Sequence, residues 1–596
     1  MLIGALFVFS IAYAHGFRVY TTEGVVEGSK PADGDYYAFY GIPYAGPTSG
    51  VNRFKAPVPP SRYNVLKATE SNIICAQPTS RGLVGVENCL TLNIFTKNTT
   101  VPKPVIVWLN AEEYTTSDTQ VPSVRRLVEQ NVIFVQMNFR LSIFGFLCLR
   151  VTEAPGNAGL KDVIQGLKWI QENIGNFGGD RNNVILMGHA SGAAMVDLLT
   201  LSPRTKNLAH KAIILSGSSL APWAVAYDPI GYAKRFGNKL GYKGKKSSNL
   251  GKLLVDTDIY VLHTALNEFK FVNNTPLFAP CLEDPKISKN NTVLSEPPID
   301  TFRSGKYVQI PVIYGYTNRE GTMRADEADF GNWLTFMQSN FTSFLPVDLQ
   351  LGKNKTAVGA NIRDFYFSNG TISMALIEDY LEFEGDTLVL LSSIKSAKER
   401  AMKSTGEVRL LEFAYLGTKN SHWIHNQIPL SGAAHGAFLN YLFVDDLRNE
   451  DIVVSKSLVE RFSAFAYNCH IENFSVTRIR NFNNCSINIS TKKVTRIFVI
   501  STKTNGTLNV TRSAAWSPVT KDITNYLYYG GNGGPTVNNT LIFVEEPRFN
   551  PHVQRTDFWG SIYSKYYSAP AKPSSSSGIL SSVFFVMLCQ LFVRLF

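Results

Sequence analysis

Residues 184–197 read VILMGHASGAAMVD, and the rest of the chain is understood outward from them. Four apolar residues run into a tight turn carrying Gly188 and Gly192, and small and apolar residues follow at helical spacing. Strand, turn and helix in that order are the setting of a nucleophile elbow, G-x-S-x-G, whose glycines let the backbone turn sharply enough to lift the central side chain above a sheet. The central residue here is Ala190. A methyl group cannot attack a carbonyl. Ser191 does not replace it: shifting the frame by one puts His189 and Ala193 where glycines are needed, with the serine at the start of the helix and pointing elsewhere.

Around this turn, short apolar runs recur at 105–109, 132–137, 212–215, 312–314 and 408–413. Unbroken apolarity, rather than alternation, suits strands covered on both faces. Between the runs lie helical stretches. In 161–174, Val163, Leu167, Ile170 and Ile174 share one helical face. Strand-helix alternation predicts the α/β class, a mostly parallel central sheet flanked by helices. A composition of 44% hydrophobic and 18% charged residues excludes a disordered or fibrous chain. The net charge of +11 comes from scattered Lys and Arg, a solvated surface rather than a nucleic-acid face.

Nine further stretches belong together: YGIPYA (40–45), NRFKAP (52–57), ENCLTLNIF (87–95), NFRLSIFGFL (138–147), GNAGLKD (156–162), NFGGDRNNV (176–184), LSGSSLAPWA (215–224), YTNREG (316–321) and FWGSIY (558–563). With them the chain resembles the type-B carboxylesterase/cholinesterase family from about residue 17 to 567. The resemblance implies an α/β-hydrolase fold, a disulfide joining Cys75 to Cys89 and a buried ion pair between Glu87 and Arg140. It also implies a vestigial triad: Glu320 matches the acidic member and His435 the base, with Ala190 at the nucleophile position. The family's oxyanion loop, H-G-G-G, is replaced by Asn110-Ala111-Glu112-Glu113 before Tyr114. Loss of one oxyanion donor costs about 3 kcal/mol of transition-state stabilisation. Here side chains stand in for all three glycines.

The ends and the cysteines speak to location. Residues 1–14 read as a secretory signal closing on Ala12-Tyr13-Ala14, followed by an esterase-like domain over 15–568. A Ser/Pro-rich linker with an anchor-attachment region spans 569–582, and a hydrophobic tail spans 583–596. The tail reads as a GPI signal, with a C-terminal membrane helix as the alternative. Twelve N-x-S/T sequons fit a glycosylated surface: Asn98, Asn273, Asn290, Asn340, Asn354, Asn369, Asn473, Asn484, Asn488, Asn505, Asn509 and Asn538. Cys75 and Cys89 bracket a polar loop and make the first disulfide candidate, Cys469 and Cys485 the second. Cys148 and Cys281 sit in apolar runs and read as buried thiols. The segment 469–513 carries five of the sequons, and its β-branched residues suggest a hairpin.

Neither C-x-x-C nor H-E-x-x-H spacing occurs, so no metal site and no cofactor is expected. The expected role is that of a cell-surface pseudoenzyme, similar in kind to neuroligin and glutactin, that binds an extracellular protein or an apolar small ligand. The alternatives are a residual or altered ester hydrolase, or a sequestering protein for an apolar ligand.

Overall fold

The computed structural model describes residues 17–573, apart from 70–72, 80–81, 98–100, 118–121, 267–268, 270–274, 330–331, 369, 420–422, 425–427, 430–431, 469–501, 505–506, 510–515 and 533–541. Ten strands form its main sheet: β1 (Tyr37–Pro43), β2 (Thr91–Thr96), β3 (Lys103–Ala111), β4 (Ile133–Met137), β5 (Gly179–His189), β6 (Lys211–Leu215), β7 (Val312–Thr317), β8 (Val408–Phe413), β9 (Asn525–Asn532) and β10 (Ile542–Phe549). Their spatial order is β10-β9-β8-β7-β6-β5-β3-β4-β2-β1. The seven strands from β9 to β4 run parallel, and antiparallel strands close both edges. This is the α/β-hydrolase architecture, with the predicted apolar runs as its central strands.

Burial explains why those runs lack alternation. Residues of β4, β6, β7 and β8 are buried throughout, because helices cover both faces. One side is covered by α1 (Ala158–Asn173), which packs Val163, Leu167 and Ile170 into the larger core cluster. On the other side α2 (Ala437–Phe443) and α3 (Asn449–Ala466) pack with Trp108, Met187 and Phe413. Among the described residues no helix is long and apolar enough to cross a membrane. The signal, the C-terminal tail, Cys469 and Cys485 lie outside the described residues. Within 469–513 only Thr502–Thr504 and Thr507–Asn509 are described, as a short antiparallel pair. Asn290, Asn340 and Asn354 are exposed.

Two expectations need correction. Cys148 and Cys281 are not free thiols: they form a disulfide, beside the one joining Cys75 to Cys89. The apolar surroundings were read correctly, but they belong to a covalent link between segments 133 residues apart. Room for it depends on Gly156, where a Cβ would come within 2.7 Å of one sulfur and 2.9 Å of the other. Nor does Glu87 pair with Arg140. Arg140 forks onto Asp162 of α1, with Nε to Oδ2 at 2.8 Å and Nη2 to Oδ1 at 2.5 Å, and also donates to the carbonyls of Asn52, Arg53 and Lys55. Glu87 instead takes two bonds from Arg53, at 2.6 and 2.9 Å. Two guanidinium-carboxylate pairs lie side by side, and only the three-dimensional path of α1 decides which acid each arginine meets.

Replacing both Cys148 and Cys281 by alanine is expected to lower stability by about 2–5 kcal/mol, because the cross-link limits a long loop in the unfolded chain. An unchanged denaturant midpoint for the double variant would show that the link carries no stability.

Candidate active site

The site forms where β5 ends. Ala190 follows His189 at φ 50°, a left-handed conformation that strains any residue with a side chain, and begins α4 (Ala190–Leu201). Gly188 and Gly192 are needed for contact rather than for torsion. A Cβ on Gly192 would lie 2.2 Å from the Leu109 carbonyl oxygen of β3, and one on Gly188 would lie 2.5 Å from the Gly192 oxygen. Ala111 and Ala190 meet as a parallel bridge. The elbow is therefore intact and its tip is a buried methyl, 3% exposed.

Glu320 and His435 come together as expected for a triad. Glu320 enters just after β7 and accepts from the Thr317 amide and the Ser216 hydroxyl, both at 2.6 Å. Its other oxygen meets His435 Nδ1 at 2.5 Å. The Thr322 hydroxyl accepts from the His435 backbone amide at 2.8 Å, so both ends of the histidine are held.

The loop at the oxyanion position departs from its glycine-rich form in torsion, charge and hydrogen bonding. Glu113 and Tyr114 hold φ 50° and 58°, the torsions glycines would take without cost. Two amides of this loop are already engaged: Glu112 N donates to Thr116 O at 2.8 Å, and Tyr114 N donates to Ser191 Oγ at 2.8 Å. Ser191 in turn donates to Ala111 O at 2.7 Å. The Ser191 hydroxyl is thus committed to bracing the loop. The Glu113 carboxylate pairs with Arg324 at 2.5 Å.

Glu112 occupies the place of greatest consequence. Its carboxylate lies 3.1 Å from His189 Nδ1 and 3.5 Å from His435 Nε2. Burial pushes the Glu112 carboxyl up, but the two imidazoles outweigh it and hold the group well below the usual carboxylate range. Burial likewise opposes charge on His435, yet Glu320 and Glu112 together raise it to about 10. At neutral pH the former base therefore already carries its proton. Beside this trio lies a narrow cleft lined by Ala190, Ser191, Ser216, Trp223, Met323 and Leu388, with free space of about 20 Å³, room for about one or two water molecules.

The sequence pattern of the carboxylesterase family matches residues 16–530. The chain belongs to the carboxylesterase family. Similar members include the juvenile hormone esterase of Tribolium castaneum, 29% identical over 75% of this chain and 83% of that protein. Esterase B1 of Culex pipiens is 27% identical over 76% of this chain and 88% of its own. Among solved structures, the juvenile hormone esterase of Manduca sexta, with OTFP covalently attached, superposes with a TM-score of 0.75. That likeness covers 92% of this chain and all of the other at 22% identity, and shows the fold.

Against this carboxylesterase background, His189 is the site residue that sequence reasoning passed over. The signal was present: a histidine inside the elbow and a glutamate inside the oxyanion loop are two departures on adjacent strand ends. In the sheet, His189 of β5 stands in register with Asn110 of β3, which brings Glu112 within reach. The expectation of no metal-ligand cluster rested on spacing along the chain, whereas Glu112, His189 and His435 converge from three separate segments, their ligand atoms within 4.8 Å of one another.

The proton on His435 gives a sign to the pH dependence. Its folded value lies above the unfolded 6.5, so the stability it contributes is complete below about pH 6.5 and is lost as pH rises through about 10. In metal-free buffer, Glu112→Gln removes one of its two carboxylate partners and is expected to move that loss to lower pH. Superimposable wild-type and variant stability curves from pH 6 to 10 would contradict the assignment.

Proposed function

We propose that this carboxylesterase-family protein does not proceed through an acyl-enzyme and works by binding at the outer face of the cell. The observation that carries the reading is Ala190: the elbow keeps its strained geometry but has no hydroxyl to acylate. The engagement of the Glu112 and Tyr114 amides and the charge already present on His435 add to it, since the loop offers fewer oxyanion donors and the imidazole is not a free base. The two disulfides fit an oxidising compartment, and the exposed sequon asparagines fit a glycosylated outer surface. Attachment through the C-terminal tail, by a GPI anchor, belongs to the same proposal, as does an extracellular protein or apolar ligand as the bound partner.

A second reading, an altered ester hydrolase in which water replaces the serine, is favoured by the kept Glu320–His435 bond and by the names of the similar proteins, which are esterases. It requires His435 to shed its proton before it can accept one from water. Its readout is slow ester turnover that disappears in His435→Ala.

The direct test is a fluorophosphonate probe with an activated ester, beside an active serine esterase. The expected result is no covalent label and no burst. Ala190→Ser is expected to stay at least about 1,000-fold below the active enzyme, because removal of oxyanion donors alone costs about 10²–10³ each. Stoichiometric labelling of the wild-type protein would overturn the proposal.

A further inference from the structure

We infer that Glu112, His189 and His435 form a binding site for a single divalent cation of the Zn²⁺ class, with Glu320 as its outer support. Nothing in the family membership supplies this site: its carboxylate comes from the altered oxyanion loop and one of its imidazoles from the altered elbow. The inference goes beyond the proposed function and stands whether or not esters are turned over.

Three observations carry it. First, the spacing is that of ligands around one ion. Zn–N and Zn–O bonds of about 2.0–2.1 Å place neighbouring ligand atoms of a tetrahedron about 3.3–3.4 Å apart. Glu112 Oε1 lies 3.1 Å from His189 Nδ1 and Oε2 lies 3.5 Å from His435 Nε2, and one ligand atom from each residue falls within 4.8 Å of the other two, so a small closure brings all three onto one ion.

Second, the imidazole nitrogens at this cluster are buried and lack hydrogen-bond partners. Neither imidazole makes a hydrogen bond of acceptable angle to the carboxylate, and both His189 nitrogens and His435 Nε2 are buried without a hydrogen-bond partner. His189 is only 1% exposed, so an unpaired ring there is costly. In a donor-acceptor pair the N–H points along the line joining the two atoms. In a metal site the lone pairs meet at a third position off that line. An ion there would satisfy His189 Nδ1 and His435 Nε2 together.

Third, the outer shell is already built. On binding an ion His435 releases a proton to solvent and offers Nε2 to the cluster while Nδ1 is held by Glu320 at 2.5 Å, the carboxylate–histidine–metal arrangement that fixes a ligand's tautomer and orientation. Glu320 is itself anchored by Ser216 and Thr317. The Glu112 side chain is 41% exposed, so a fourth position can be reached by water or by a ligand's donor atom. Two imidazoles and one carboxylate favour a first-row ion such as Zn²⁺ over Ca²⁺ or Mg²⁺, which prefer all-oxygen shells.

The test uses the full chain from a secretory host, stripped with a chelator and titrated with Co²⁺ and then Zn²⁺. One ion per chain is expected, with visible ligand-field bands from Co²⁺ that Zn²⁺ abolishes. Glu112→Gln and His189→Gln are each expected to weaken Zn²⁺ binding at least 100-fold. Glu320→Gln, which touches no ion, is expected to weaken it about 10–100-fold. X-ray absorption of the zinc-loaded wild type supplies a measurement that needs no variant, and two imidazole ligands are expected. Absence of stoichiometric uptake, a shell without imidazole, or equal affinity in a folded Glu112→Gln variant would each overturn the site. The phosphonate result bears on acyl chemistry alone, so the two proposals fail separately.

Discussion

Everything at the centre of this molecule depends on how closely two strand ends approach. Where β5 turns into its helix, the Gly192 Cα lies so near the Leu109 carbonyl of β3 that no Cβ fits between them. That contact forces the sharp turn, holds Ala190 at a left-handed torsion and sets Ala111 directly beside it. Such a backbone costs about 1–3 kcal/mol and persists only where the surrounding packing over-determines it. Here the parallel neighbours of β5 on both sides supply that packing.

The constraint stands without the side chain that an acyl-transferring elbow needs: the tip carries a methyl, and the adjoining loop bridges directly to it through Ala111. Its torsions at Glu113 and Tyr114 are those of glycine, two of its amides are engaged by Thr116 and Ser191, and its half-exposed carboxylates pair with His189 and Arg324. A carboxylate in an oxyanion hole would repel the charge that such a hole stabilises. Between two imidazoles the same group is favourable. Glu112 and His189 are thus coupled in space: the acid at the loop is favourable because an imidazole faces it across the strand ends.

Most of the architecture was legible along the chain. Unbroken apolar runs marked the covered strands, the helical face at Val163, Leu167 and Ile170 marked α1, and the paired glycines at 188 and 192 marked the elbow. Glu320 and His435 were found because each sits in a motif. His189 was not, because a lone histidine beside Ala190 has no partner within its own segment. The same limit explains the two corrections. Arg140 could be given an acid from sequence, but the choice between Glu87 and Asp162 depended on where α1 lies. Cys148 and Cys281 looked like thiols in oil because a disulfide in apolar surroundings has the same local sequence.

What the sequence determined by itself was local and covalent: the missing hydroxyl at 190, the lost glycines of the loop, and the periodicities that select an α/β sheet. Each follows from residue identity or from short-range geometry, which tertiary contacts do not alter. Tertiary structure alone decided which charges meet. The convergence of Glu112, His189 and His435 from three distant segments is set by strand register and by the loop leading into α2, and no spacing along the chain encodes it. Pairing energies fall steeply with distance and grow in a dry interior, so the character of the site depends on ångström-scale placement that only the assembled sheet provides.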